Sequence, residues 1–156
     1  MMFGGAKPVP VNPRNYRNFK RGDIIVSMAG IVTNVALAFI CAILIVVVGL
    51  LGRAIPGISN WIGTLQHMFV LGININLILA MFNLFPLPPL DGSHVMKYLL
   101  PPAWALQYAA IGGAGFFILI GLLWFAPQVL YFWLAPAFLL RDFLFLNVQP
   151  FMHAMR

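Results

Sequence analysis

The run Ile24 to Leu51, IIVSMAGIVTNVALAFICAILIVVVGLL, holds no charged side chain. As a helix rising 1.5 Å per residue it is about 42 Å long, more than the roughly 30 Å hydrocarbon core of a bilayer, so it spans with tilt. A soluble domain of 156 residues could bury only part of a chain that is 62% hydrophobic and 8% charged. A bilayer is therefore the solvent that this sequence requires.

Further spans follow from the same pattern. The loop Gly52 to Asn60 breaks it with Gly and Pro, and Trp61 opens a second run to about Leu84. A third span is predicted from Trp104 to Phe125, and a fourth from Gln128 to Leu146 with Pro136 inside it. Residues after Leu140 have an alternative reading as an interfacial helix, because Phe143, Phe145 and Phe151 alternate there with polar groups. The fold class is all-α, a polytopic bundle of about four transmembrane helices with a proline-rich break after the second. It divides into a basic loop over 1–22 and a membrane domain over 23–156.

The net charge of +6 does not point to nucleic acid, because Lys7, Arg14, Arg17, Lys20 and Arg21 crowd before the first span, which is a topology signal. They place the N-terminal segment in the cytoplasm, and four spans return the C-terminus there, in a multi-pass protein of the cell membrane. The first residues are polar and proline-rich, so no cleavable signal peptide is visible. Cys41 stands alone, so no intrachain disulfide is expected.

Small residues recur at helical spacing: Ser27, Gly30, Asn34 and Ala38 on the first span, and Gly72, Asn76, Ala80 and Asn83 on the second. Such stripes allow helices to approach closely. The third span offers Ala109 and Gly113 in the same sense, within the cluster GGAG.

The chemistry concentrates in NLFPLPPLDGSH, Asn83 to His94. Asp91 is one of only three acids in the chain, and a carboxylate near hydrocarbon needs a cavity, a partner or a metal. Pro86, Pro88 and Pro89 remove three amide donors and leave backbone that lipid cannot satisfy, so the break must lie against protein or water. A second reading makes Asp91 the N-cap of the following helix. His94 follows Asp91 by three residues, close enough to share a metal on one helical face, although D-x-x-H is a weak signal. His67 lies near the far end of the second span, about 24 Å away at 1.5 Å per residue, and reads as an interfacial side chain, as His153 does a tail residue. Arg141 and Asp142 are expected to find separate partners or to snorkel rather than to form a catalytic pair. No H-E-x-x-H and no phosphate loop occurs.

NLFPLPPLDG, Asn83 to Gly92, resembles the N-x-x-P-x-P-x-L-D-G signature of the site-2 proteases, intramembrane zinc metalloproteases. KPVPVNPRNYRN, Lys7 to Asn18, is similar to the loop after the first catalytic helix in their compact prokaryotic branch, and AGIVTN, Ala29 to Asn34, to the A-G-P-x-x-N motif of the next helix, with Ile31 in place of its proline. The resemblance implies that Asp91 is the third protein ligand of a zinc ion, that Asn83 stands near the metal as a donor to a developing oxyanion, and that Asn34 packs helices. It implies Zn2+ as cofactor, a membrane-protein substrate and peptide-bond hydrolysis, with a homo-oligomer also open. The H-E-x-x-H helix of that family precedes the KPVPVNP loop, so this chain is expected to be an N-terminally truncated form, inactive alone. A non-catalytic membrane scaffold and a small transporter are the alternatives.

Overall fold

A computed structural model describes residues 19–55 and 59–152, and among them the chain forms six α-helices and a closing 3₁₀ turn, with no strand. The loop Lys7 to Asn18 and His153 lie outside the described residues, as does the expected basic segment except for 19–22, which open the first helix.

Helix α1, Phe19–Ala54, contains the long apolar run. Its β-branched residues would weaken a helix in water, but in lipid only internal hydrogen bonding satisfies the backbone, and the helix forms. Pro56 follows in sequence and disfavours helical geometry at Ile55, where α1 has ended with the Ile55 amide on the Leu51 carbonyl at 2.9 Å. Helix α2, Ser59–Asn83, packs along α1. Ala38, Ala42 and Ile45 of α1 meet Ile73 and Leu77 of α2 in a core completed by Ala137, Leu144 and Val148 of α6, Pro127–Val148. The small-residue stripes are part of this seam. Ser27, Ala38 and Ala80 are buried, and a Cβ on Gly72 would stand 2.8 Å from the Cys41 sulfur. Asn76 instead returns its amide to the Gly72 carbonyl of its own helix at 2.8 Å, as Asn74 does to Val70.

Between α2 and α6 lie three shorter helices: α3, Gly92–Leu99; α4, Pro102–Ile111; and α5, Ala114–Phe125. Pro101 and Pro102 stop α3, leaving Leu100 extended. The predicted third span is here corrected. It is not one straight helix but α4 and α5 bent by 76°, because Gly112 takes a left-handed φ of +33° that breaks the helical path and suits glycine. Helix α6 runs without interruption past Pro136 to Val148, so the interfacial alternative after Leu140 is not what forms.

Three helices are long and apolar enough to cross a membrane, and the bent pair would make a fourth. Their outward faces carry large apolar side chains, with Phe125, Phe132 and Trp124 each more than four-fifths exposed. So much exposed apolar surface identifies lipid as its solvent.

At the end of the bundle away from the proline loop, buried Gln66 of α2 donates to the carbonyls of Ile45 at 3.1 Å and Phe151 at 2.9 Å. Arg53 reaches the Pro150 carbonyl and lies over the Phe151 ring. These bonds hold the 3₁₀ turn Gln149–Phe151 across α1 and α2. Gln66→Ala should cost about 1–3 kcal/mol, because it strands a partly buried carbonyl, and thermal unfolding in detergent measures it.

Candidate functional site

The proline break is a closed loop. Helix α2 ends because Pro86 cannot donate to Phe82; the Phe85 amide takes that carbonyl instead at 3.0 Å, in a tighter turn. The Met81 carbonyl, which Phe85 would otherwise have served, accepts from the Trp133 indole of α6 at 2.8 Å. The same indole packs edge-on against Phe85, with centroids 5.2 Å apart. The chain then turns back on itself until Gly92 rests on the Leu84 carbonyl, where a Cβ would come within 2.1 Å of the oxygen. Residues 84 and 92 thus touch, and Asn83 and Asp91 stand just before the two sides of that crossing. Gly115 of α5 closes the loop from outside, since a Cβ there would meet the Pro88 carbonyl at 1.7 Å.

Asp91 projects toward α1. Its Oδ2 is 3.6 Å from the position of a Cβ on Gly30, so the loop motif and the AGIVTN motif face each other although they lie on different helices. Asp91 does not cap α3: its backbone is helical, and its side chain makes no capping hydrogen bond. The other two acids are both neutralised. Asp23 is paired with Lys97 and bonded to His94, and Asp142 is paired with Arg141. The Asp91 side chain has no hydrogen-bond or ion-pair partner among the described residues. Asn83 and Asn34 are half-buried and make no side-chain hydrogen bond among the described residues either.

Two expectations need correction. Arg141 and Asp142 do not find separate partners; Arg141 Nε and its terminal nitrogen reach Asp142 Oδ1 at 2.8 and 2.7 Å, which neighbouring residues manage when both side chains fold toward each other on the exposed helix surface. His94 does not turn with Asp91 toward a shared ion. Its Nδ1 lies 3.1 Å and 3.2 Å from the two carboxylate oxygens of Asp23. His67 is exposed on α2, as expected of an interfacial side chain.

Sequence reading overlooked Asp23. Its carboxylate accepts from the Tyr98 hydroxyl at 2.8 Å and pairs with Lys97 at 3.6 Å, so His94, Lys97 and Tyr98 of α3 all converge on one residue of α1. Burial, together with the Asp23 carboxylate beside it, pushes the Tyr98 phenol up to about 12, which keeps it a donor at neutral pH. The available signal was its rarity, since an acid at the head of an apolar run in a chain with three acids must have a partner. Beside α3, a cavity of about 160 Å³ is lined by Pro88, Ser93, His94, Lys97, Tyr108 and Ala109, and Asp91 is not part of its wall.

No family model matches the chain, and no solved structure matches it. Two relatives do. The chain is 36% identical over 118 residues to "Putative zinc metalloprotease YwhC" of Bacillus subtilis, a match covering 76% of this chain and 53% of the relative. It is 42% identical over 111 residues to "Putative zinc metalloprotease MJ0611" of Methanocaldococcus jannaschii, covering 68% and 50%. In sequence the chain is similar to a site-2 protease-like family of metalloproteases. It spans about half the length of the curated relatives that it matches.

Proposed function

We propose that this chain is part of a zinc metalloprotease that hydrolyses peptide bonds of membrane-embedded substrates, with Asp91 as one zinc ligand. The observation that supports this reading most is the Asp91 carboxylate itself, held by a proline loop against Gly30 and the only one of the three acids without a partner among the described residues. The names of the two relatives supply the metal and the reaction class. The described residues do not complete a zinc site. They hold no group of three His, Cys, Asp or Glu side chains, whereas catalytic zinc usually takes three protein ligands. The proposal therefore assigns the remaining ligands to polypeptide outside the described residues.

Zinc in such a site lowers the pKa of bound water and polarises a carbonyl. The residues described here contribute a fixed anionic ligand and, at the other side of the loop crossing, the Asn83 amide, which can donate to negative charge developing on a scissile carbonyl oxygen. The test uses the full-length gene product in detergent with a transmembrane peptide as substrate. About one zinc per chain is expected, with cleavage lost on chelation and restored by added zinc. Cleavage that survives complete metal removal would overturn the proposal.

A further inference from the structure

We propose that Asp23 is the positioning residue for Asp91, fixing the register of α3 on α1 and with it the place where the Asp91 carboxylate stands. The inference rests on the zinc-ligand reading of Asp91. Helix α3 has little packing of its own to hold it. It is eight residues long, its N-terminus lacks a side-chain cap, and its buried residues are only Gly92 and Ser93, neither of which carries an apolar side chain. Its attachment to α1 is polar and centres on one carboxylate. His94, Lys97 and Tyr98, which share a face at three- and four-residue spacing, all reach the Asp23 carboxylate. Lys20, one turn earlier on α1, adds a bond to the Tyr98 carbonyl at 3.4 Å and lies over its ring.

Asp23 and Gly30 are seven residues apart, so they lie on one face of α1 two turns apart. The first grips the body of α3, and the second faces Asp91, the residue immediately before α3 begins. A carboxylate at the mouth of a proline loop can swing with the helix that follows it. Tying that helix to α1 removes this freedom before any ligand arrives, which is how a supporting shell preorganises a site.

The test reads the position of residue 91 directly. In a Cys41→Ala background, Gly30→Cys and Asp91→Cys are combined in the full-length gene product, and the rate of disulfide formation under mild oxidant is measured. Adding Asp23→Ala should slow it roughly tenfold, since small misplacements of reacting atoms have large rate effects. Asp23→Asn should recover part of the rate, because its amide oxygen still accepts from Tyr98. Gln66→Ala, which weakens the opposite end, should lower the melting temperature and leave the rate unchanged. If Asp23→Ala does not fold, Tyr98→Phe removes one grip and should still slow the reaction about threefold. An unchanged rate in these variants, or a slowing no greater than that of Gln66→Ala, overturns the proposal. With Asp91 intact, Asp23→Ala should also weaken zinc affinity roughly tenfold, as loss of supporting interactions does at metal sites. Zinc affinity that depends on Asp91 but not on Asp23 sinks the positioning role alone, whereas zinc content indifferent to Asp91→Ala sinks the ligand reading while the disulfide result stands separately.

Discussion

Under the proposed zinc-ligand role, Asp91→Ala should empty the full-length gene product of zinc and reduce proteolysis by on the order of a thousandfold or more, since the proposal makes it a ligand to a water-activating metal. Its effect on stability separates this outcome from simple damage. The Asp91 side chain holds no hydrogen bond or ion pair among the described residues, so its loss strands no partner. Without metal, the variant should therefore melt within about 0.5 kcal/mol of the parent. With metal, the two should diverge, because a ligand that binds only the native state stabilises it, and only the parent binds. Chelation should thus lower the melting temperature of the parent and leave that of Asp91→Ala unmoved. Asp142→Ala is the natural comparison, since it removes an acid whose exposed pairing with Arg141 is worth about 0–1 kcal/mol. Zinc retained in Asp91→Ala, or a melting temperature that collapses without metal, would remove Asp91 from the ligand set.

Gly92→Ala should be strongly damaging for a single added methyl. A Cβ there would lie 2.1 Å from the Leu84 oxygen, 2.4 Å from its carbon and 2.8 Å from the Phe85 oxygen. All three are backbone atoms, so no rotamer change relieves the contact, and the loop crossing must open. A cost of about 3 kcal/mol is expected, at the upper end for overpacking. Because the crossing also places Asp91, zinc affinity should fall with it. Gly113→Ala is the control: nothing lies within 4 Å of the added methyl and its φ of −66° is ordinary, so unfolding should change little. Thermal unfolding and metal titration of both variants check this pair, and a Gly92→Ala protein that melts like Gly113→Ala would refute the crossing.

Much of this could be read from the sequence because lipid imposes a simple rule. The apolar runs had to become helices, and Pro86, Pro88 and Pro89 had to end one, since each proline withholds a donor. What stayed hidden was set by tertiary contact. GGAG was legible only as a close-packing stripe within one span; it became a break where Gly112 took a left-handed backbone and α5 met the proline loop through Gly115. Asp23 went unnoticed because its partners His94 and Tyr98 are 71 and 75 residues away. The same distance explains His94, whose spacing from Asp91 suggested one shared ion until the carboxylate on another helix was visible.

The two ends of the α1–α2 pair are fastened by unlike chemistry. At one end the ties are chiefly the Gln66 amide on neutral carbonyls, with Arg53 beside them. At the other the Asp23 carboxylate pairs with the Lys97 ammonium, with Lys20 close by on Tyr98, partly open to solvent. Ions in solution screen the second kind of tie over about 8 Å at physiological salt and leave amide-to-carbonyl bonds nearly untouched. The bundle therefore has a hard end and a soft end, and the soft end, adjustable by salt, is the one beside Asp91.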